Sequence, residues 1–416
     1  MKGKRSAAPV QWGLRENLGQ FLLLVLINGF VGGMVGLERS ILPPLAAQAF
    51  GVVAPTALLS FILVFGVTKA LTNYVAGTVA NRIGRKRLLV YGWWVGLPVP
   101  LLLMWAPHWG WVIVANVLLG IQQGLCWSTT VVMKIDLVGE KHRGIAMGIN
   151  EFAGYIAIAA VALATGWLAS TYGLRPYPFV VGLGLAVLGL LASIGLVQDT
   201  TAHVRQEGAK TQLPHLNRIF RETTWRHPNL GAVTQAGLVN NLNDGMVWGL
   251  LPVVLAQRGF SLTEIGFMVA VYPAVWGVGQ LVTGALADVF CKKNLLFWGM
   301  SLQGLALLAL PWAWSLPQVS AVAVVLGLGT ALVYPTFLAA IAADTHPTQR
   351  AESLGIFRFW RDLGYAVGAL LTGLLADNAG PEAAMGAVAG LTLLSAGWIR
   401  HRMSCATTGT PEWATA

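Results

Sequence analysis

Gly77-Thr78-Val79-Ala80-Asn81-Arg82-Ile83-Gly84-Arg85-Lys86-Arg87 is a short, strongly basic stretch set between two long apolar runs. Apolar flanks able to cross a bilayer, joined by a cationic connection, describe a tight loop at a membrane surface. A second copy, Gly284-Ala285-Leu286-Ala287-Asp288-Val289-Phe290-Cys291-Lys292-Lys293, follows 207 residues later. One such loop in each half, at matching places, predicts a duplicated membrane protein whose halves move against each other.

The same offset of 207 pairs Leu88 with Leu295, Leu89 with Leu296, Gly92 with Gly299 and Gly120 with Gly327. It also pairs Arg143 with Arg350, Gly148 with Gly355, Phe152 with Phe359, Gly166 with Gly373 and Gly173 with Gly380. A register held over so long a stretch reflects duplication. Approximate spans are 18–38, 56–78, 88–105, 110–133, 145–169 and 177–197, then 230–254, 264–287, 294–314, 318–343, 353–376 and 383–400. The expected organisation is therefore a six-helix bundle over residues 1–197, a cytoplasmic linker over 198–229, a second bundle over 230–402 and a tail over 403–416. The linker is predicted to carry a short surface helix near Leu216–Trp225.

Composition agrees with an all-α polytopic membrane protein. The 416 residues are 56% hydrophobic and 11% charged, with a mean hydropathy of +0.65, which leaves too little polar surface for a water-soluble globule. The net charge of +10 points to lipid phosphates, because its placement is one-sided. Only Arg39, Arg175 and Arg258 fall in loops on one side, while Lys69, Arg358 and Arg361 lie within spans and the rest gather at the termini and alternate loops. This positive-inside bias puts both termini in the cytoplasm of a cell whose inner membrane holds the chain, and it leaves no role for nucleic acid. The first apolar run is about 20 residues long and eleven spans follow, so it reads as a span and not as a cleaved leader.

Cys126, Cys291 and Cys405 show no spacing that suggests a metal site or a disulfide framework. There is no Gly-Lys-Ser/Thr phosphate loop, so neither an enzyme nor an ATP-driven pump is expected, and no cofactor. His142 reads as a solvated loop residue.

On these residues the chain resembles the major facilitator superfamily, whose most specific loop motif is a glycine followed by Asp-Arg-x-Gly-Arg-Arg. Gly77, Arg82, Gly84, Arg85 and Lys86 match; Asn81 replaces the aspartate, while the second loop, with Gly284 and Lys292, keeps it as Asp288. The resemblance implies twelve helices in two pseudo-symmetric six-helix bundles around a cavity, working by alternating access. It places the first and fourth helices of each bundle on the cavity, the second and fifth at the seam, and the third and sixth outside. It also makes the two loops latches for the seam in the outward-open state. Since Asn81 carries no charge to set against the N-terminal end of helix 11, the first latch should be the weaker one. Gly120-Ile121-Gln122-Gln123-Gly124 lacks the arginine that the superfamily's proton-coupled drug exporters carry in helix 4, and residues 148–166 lack their helix 5 proline.

An ionised group at mid-bilayer costs roughly 3 kcal/mol or more, so charged residues in spans should face protein or water and mark function. Asp244, with Asn240, Asn241 and Asn243, is the leading substrate or proton site. Lys69 is too deep to snorkel and needs a carboxylate or an anionic cargo. Glu151 either exchanges a proton or pairs with the opposite bundle. Arg358 and Asp362, four residues apart, suit a pair on one helix face, which leaves Arg361 for cargo or a gating carboxylate. Glu38 and Arg39 form either an interfacial pair or part of the outer mouth. Gln123, with Trp127, Tyr272, Trp276 and Tyr334, is expected on the cavity wall. The step Gly364 to Gly368 suits close packing at the seam.

The expected function is secondary transport of a small solute, driven by protons or another coupling ion, by a monomer in contact with lipid, with export favoured. Uptake or exchange of an organic anion or metal chelate is the alternative, and a non-transporting sensor or scaffold is a third reading.

Overall fold

A computed structural model describes residues 10–39, 41–52, 55–260 and 262–405. The long helices are α1 (Leu18–Arg39), α2 (Pro55–Ile83), α3 (Arg85–Gly96, continuing as Pro98–Trp105), α4 (Trp109–Val138), α5 (Arg143–Tyr172) and α6 (Tyr177–Gly195). The second set is α7 (Pro228–Gln257), α8 (Leu262–Val289), α9 (Lys292–Ala309), α10 (Leu316–Ala343), α11 (Pro347–Ala379) and α12 (Pro381–Arg402). Proline sets several of the starts, where a missing N–H costs nothing: Pro228, Pro347 and Pro381 open α7, α11 and α12. Pro98 divides α3. The repeat is visible in the backbone, since Gly173 and Gly380, 207 residues apart, end α5 and α11 with the same φ of 89°.

Packing repeats as well. In the first bundle α1 lies along α5 and α2 along α4; in the second, α7 lies along α11 and α8 along α10. The bundles meet through α2 against α11 and α5 against α8. Each seam closes on a glycine pair taken from equivalent positions. A Cβ on Gly77 would stand 2.6 Å from the Ala351 carbonyl oxygen and 3.0 Å from Gly355 Cα. A Cβ on Gly284 would stand 2.7 Å from the Gly144 oxygen and 3.0 Å from Gly148 Cα. Only glycine allows two helix backbones that close.

Three expectations need correction, and one element was not foreseen. Helix α4 continues five residues past the predicted span end, so Lys134 and Asp136 lie inside it, and both are buried; hydropathy ends a span at the first charge, whereas the helix goes on while protein supplies partners. The Gly364–Gly368 step packs within its own bundle, with Cβ positions 2.2 and 2.5 Å from the Leu238 and Leu242 carbonyl oxygens of α7; Gly355 makes the seam. The linker carries the expected short helical stretch, over Ile219–Arg226, and ahead of it a helix, Thr201–Lys210, that was not expected. Cys291 and Cys405 form a disulfide with Cα atoms 5.6 Å apart, a proximity set by the fold across a sequence separation of 114 and invisible to spacing.

Ten helical stretches among the described residues are long and apolar enough to cross a membrane. Neither α7 nor α11 is among them, because their middles hold Asn240, Asn241, Asn243 and Asp244 on one and Arg358, Arg361 and Asp362 on the other. These two helices lie side by side, so polar groups that lipid would reject are placed on protein and on the cavity.

Candidate functional site

Between the bundles lies a cavity of about 570 Å³. Its wall takes Val35 from α1, Lys69 from α2, Gln123 and Trp127 from α4, Tyr155 from α5, Asn241 and Asp244 from α7, Trp276 from α8, Tyr334 from α10, and Arg361 and Asp362 from α11. Helices α3, α6, α9 and α12 contribute none of the described lining residues.

The charged groups pair across and along the bundles. Asp362 accepts from Arg361 Nε at 2.8 Å and Nη2 at 2.6 Å, and from Asn73 Nδ2 at 2.7 Å. Lys69 Nζ stands 3.8 Å from the same carboxylate, beyond hydrogen-bond length, with its ammonium over the Phe65 and Trp127 rings at 5.7 and 5.4 Å. Arg358 instead faces Glu151 of the opposite bundle at 3.6 Å, and Glu151 accepts from Trp127 Nε1 at 3.2 Å and Asn150 Nδ2 at 2.7 Å. The expected Arg358–Asp362 pair is therefore replaced, and Arg361 does have a partner next to it in sequence. A long side chain reaches a neighbouring carboxylate when the seam holds both, and helix periodicity takes no account of the facing bundle.

The α7 cluster divides. Asp244 lines the cavity and accepts a hydrogen bond from the Tyr272 hydroxyl, which sits 3.1 Å from Thr330 Oγ1. Among the described residues no cation lies within 4.0 Å of Asp244, whereas Asp362 has two such partners. Asn241 also faces the cavity, and Tyr334 donates to its side-chain oxygen at 3.5 Å. Asn240 and Asn243 turn away from it: Gln303 of α9 donates to Asn240 at 3.0 Å, Asn243 donates to Gln303 at 2.9 Å, and Thr392 of α12 donates to Asn243 at 2.7 Å. Successive positions on a helix point about 100° apart, so one polar run serves two faces. Gln123 reaches the Val31 carbonyl at 2.7 Å. Glu38 is buried at the end of α1, outside the lining set; the side chain of Arg39 lies outside the described residues.

The end carrying the basic loops is closed. Asp288 accepts from the backbone N–H of Gly144 at 2.6 Å and of Ile145 at 2.9 Å, capping α5. At the equivalent place Asn81 donates its amide to the Thr348 carbonyl in the first turn of α11. A charged acceptor at a helix N-terminus is worth about 0.3–1 kcal/mol more than a neutral group, so the two seams differ in strength. Gly84 takes φ of 94° and Lys86 N–H donates to Asp199 at 2.9 Å. Arg82 is exposed, and Lys292 begins α9. Arg85 is buried 3.4 Å from Asp136.

Sequence reasoning missed the group that joins the halves here. Arg143 and Arg350, equivalent by the 207 offset, both reach Glu207 of the linker helix Thr201–Lys210. Arg143 Nη2 lies 2.6 Å from Glu207, and the Arg350 nitrogens lie at 2.7 and 3.0 Å. Burial alone would raise the Glu207 carboxyl, but the Arg350 and Arg143 guanidiniums outweigh it and hold the group below its ordinary value of 4.5. Conspicuous as a repeat-matched pair, the two arginines could have flagged the place; nothing in the linker sequence singles out Glu207.

Comparison with known proteins agrees with this architecture. Proton-coupled antiporter flippase LtaA of Staphylococcus saprophyticus is 22% identical over 384 residues, 90% of each chain. Multidrug resistance protein MdtG of Salmonella choleraesuis is 23% identical over 409 residues, 94% of this chain and 96% of that one. The crystal structure of the human organic anion transporter MFSD10 superposes with a TM-score of 0.73 at 16% identity, covering 91% and 99% of the two chains. The proton:xylose symporter XylE gives 0.72 at 14%, covering 92% and 96%. The sequence model of the Major Facilitator Superfamily matches residues 21–234 and 233–404. With both bundles covered by that model and the twelve helices arranged around one central cavity, the chain belongs to the Major Facilitator Superfamily and is a multi-pass membrane transporter.

Proposed function

We propose that this protein is a proton-coupled secondary transporter of the cell membrane that moves a small organic solute outward by alternating access. Residues 1–197 and 230–402 act as the two moving bodies, tethered by the linker 198–229, with the basic end and both termini in the cytoplasm. The arrangement described is then the outward-facing one, with the cytoplasmic seams shut.

The observation that carries the reading is Asp244, a carboxylate on the cavity wall held by Tyr272 with, among the described residues, no cation within 4.0 Å. A charge taken out of water without a counterion is costly, so gaining or losing one proton there changes the energetics of the whole cavity. The relatives' printed names, a proton-coupled antiporter flippase and a multidrug resistance protein, support proton coupling and outward movement.

Lys69 and Arg361 favour a second reading. The wall holds these two cations against Asp244 and Asp362. Its formal charge is zero with Asp244 ionised and +1 with Asp244 protonated, a state suited to an organic anion travelling with the proton.

Proteoliposomes loaded with a pH-sensitive dye test both. Solute-dependent proton movement is expected from the wild type and not from Asp244→Asn, which stays folded in the membrane. Undiminished proton-coupled flux in that variant removes Asp244 from the mechanism. Opposed or parallel movement of solute and proton decides between the two readings.

A further inference from the structure

Away from the basic end the two seams differ in how exposed their lining residues are. At Gly148 a Cβ would lie 2.3 Å from the Gln280 carbonyl oxygen of α8, whereas at the cavity-lining glycines Gly277 of α8 and Gly66 of α2 a Cβ meets nothing within 4 Å. The cavity wall also includes Ile156 and Ala159 of α5 and Ala274 and Val278 of α8. Ile156 is 53% exposed and Val278 61% exposed. Each continues a row of outward-facing residues: Leu163 and Trp167 follow Ile156 on α5, and Val282 and Val289 follow Val278 on α8. Helical spacing places such rows toward lipid. On the other seam the lining residues Phe65, Lys69, Arg361 and Tyr365 stand off the outward-facing rows, which run through Leu63, Val67 and Leu71 on α2 and through Leu370 and Leu374 on α11.

We infer that the cavity opens sideways into the membrane through a slit between α5 and α8, and that its cargo is an amphiphilic anion of the lipid phase. The anionic head sits at Lys69 and Arg361, and the acyl or aryl chain lies in the slit. This rests on the transporter reading and on the organic-anion variant of it. The slit wall is made of small and aliphatic side chains with no charge, which suits a chain that must leave water. The cations stand at the inner end. Lys69, held to Asp362 only at 3.8 Å with its side chain 17% exposed, is the looser of the two and can turn to a phosphate or carboxylate head. Trp127 and Tyr334 flank the pair, with Arg361 over the Tyr334 ring at 5.3 Å. A soluble anion would use the same cations but would need neither the slit nor its apolar wall.

The test is binding of a fluorescent-chain lysophosphatidate to the purified full chain in detergent. Lysophosphatidylcholine serves as the chain with a neutral head, and glycerol 3-phosphate as the head without a chain. Saturable binding of the lysophosphatidate is expected, at least about tenfold tighter than the choline lipid, with no competition from glycerol phosphate. Gly277→Phe, which fills open space, and Lys69→Gln should each weaken it about tenfold or more, a change equivalent to one lost favourable contact. Val282→Phe, on the lipid-facing row outside the slit, should leave it unchanged.

Unaltered binding in Gly277→Phe overturns the lateral route whether or not Lys69→Gln folds. Competition by glycerol phosphate as strong as by the lipid overturns the amphiphile and leaves a soluble-anion site. Unaltered binding in Lys69→Gln reduces the signal to annular lipid. None of these results touches the Asp244→Asn proton assay, so failure here and failure of the transporter reading are separable.

Discussion

Replacing Glu207 with Gln should release the closed basic end. Glu207 receives three charge-assisted contacts, 2.6 Å from Arg143 and 2.7 and 3.0 Å from Arg350. The two arginines are 5% and 1% exposed and belong to opposite bundles, while Glu207 is 14% exposed. A glutamine keeps one acceptor and loses the charge, leaving Asp136, 3.4 Å from Arg85 and 3.7 Å from Arg350, as the remaining carboxylate in contact with that group. Hydrogen bonds to charged groups are worth about 1.5–3 kcal/mol net, and an orphaned buried charge costs more. Allowing for the partly exposed carboxylate, the closed state should lose about 2–4 kcal/mol. Opening separates Arg143 from Arg350, so the open state forfeits one of these contacts in any case and is penalised less by the variant. With about half of that loss shared by the open state, the difference is about 1–2 kcal/mol, and the closed-to-open ratio should therefore fall about 5- to 30-fold. Spin labels on the exposed positions Arg87 and Asn294, one in each bundle, read the separation directly.

The pH dependence follows from the depressed carboxyl. A group whose folded value lies below the ordinary 4.5 contributes in full above that value, and its contribution is lost as the pH falls through the lowered one. The difference between wild type and Glu207→Gln should accordingly hold constant from about pH 5 to 8 and shrink only in stronger acid. Identical distance distributions for the two proteins at pH 7 would refute the bridge.

Two further perturbations follow from the same seams. Asn81→Asp should strengthen the α2–α11 closure by about 0.5–1 kcal/mol, a two- to fivefold shift toward the closed basic end, if the new carboxylate caps α11 as Asp288 caps α5; an unchanged label distance would show that it does not. Gly148→Val should overpack the α5–α8 seam, where a Cβ meets the Gln280 oxygen at 2.3 Å, and cost about 1–3 kcal/mol. Thermal unfolding in detergent checks it against Gly184→Ala, where a Cβ meets nothing within 4 Å and little change is expected.

Reading the chain without its fold goes well where the membrane acts on each segment separately. Lipid tests most spans alone for length and apolarity, so ten of the twelve long helices could be placed from hydropathy, with the repeat register marking α7 and α11, although α4 ran on to Val138 once Lys134 found the Leu24 carbonyl at 3.0 Å. Duplication preserves register, so the 207 offset already marked Gly77, Gly148, Gly284 and Gly355 as special before any contact was known. Costly residues announced themselves too: Asp244, Lys69, Arg361 and Asp362 do line one cavity.

What stayed hidden was every choice of partner. Whether Arg358 meets Asp362 or Glu151, whether Asn240 faces the cavity or Gln303, whether Cys291 finds Cys405, and that a linker glutamate joins two symmetry-related arginines all depend on helix rotation and on segments far apart in the chain. The amino-acid sequence determined that there would be two matching sets of spans and where buried charge would be concentrated, because those are settled residue by residue against lipid. Only the tertiary structure decided which charges neutralise each other and which polar residues reach the cavity. Coulomb and packing energies change over a few ångströms, and nothing along a single strand of sequence reports a distance between helices.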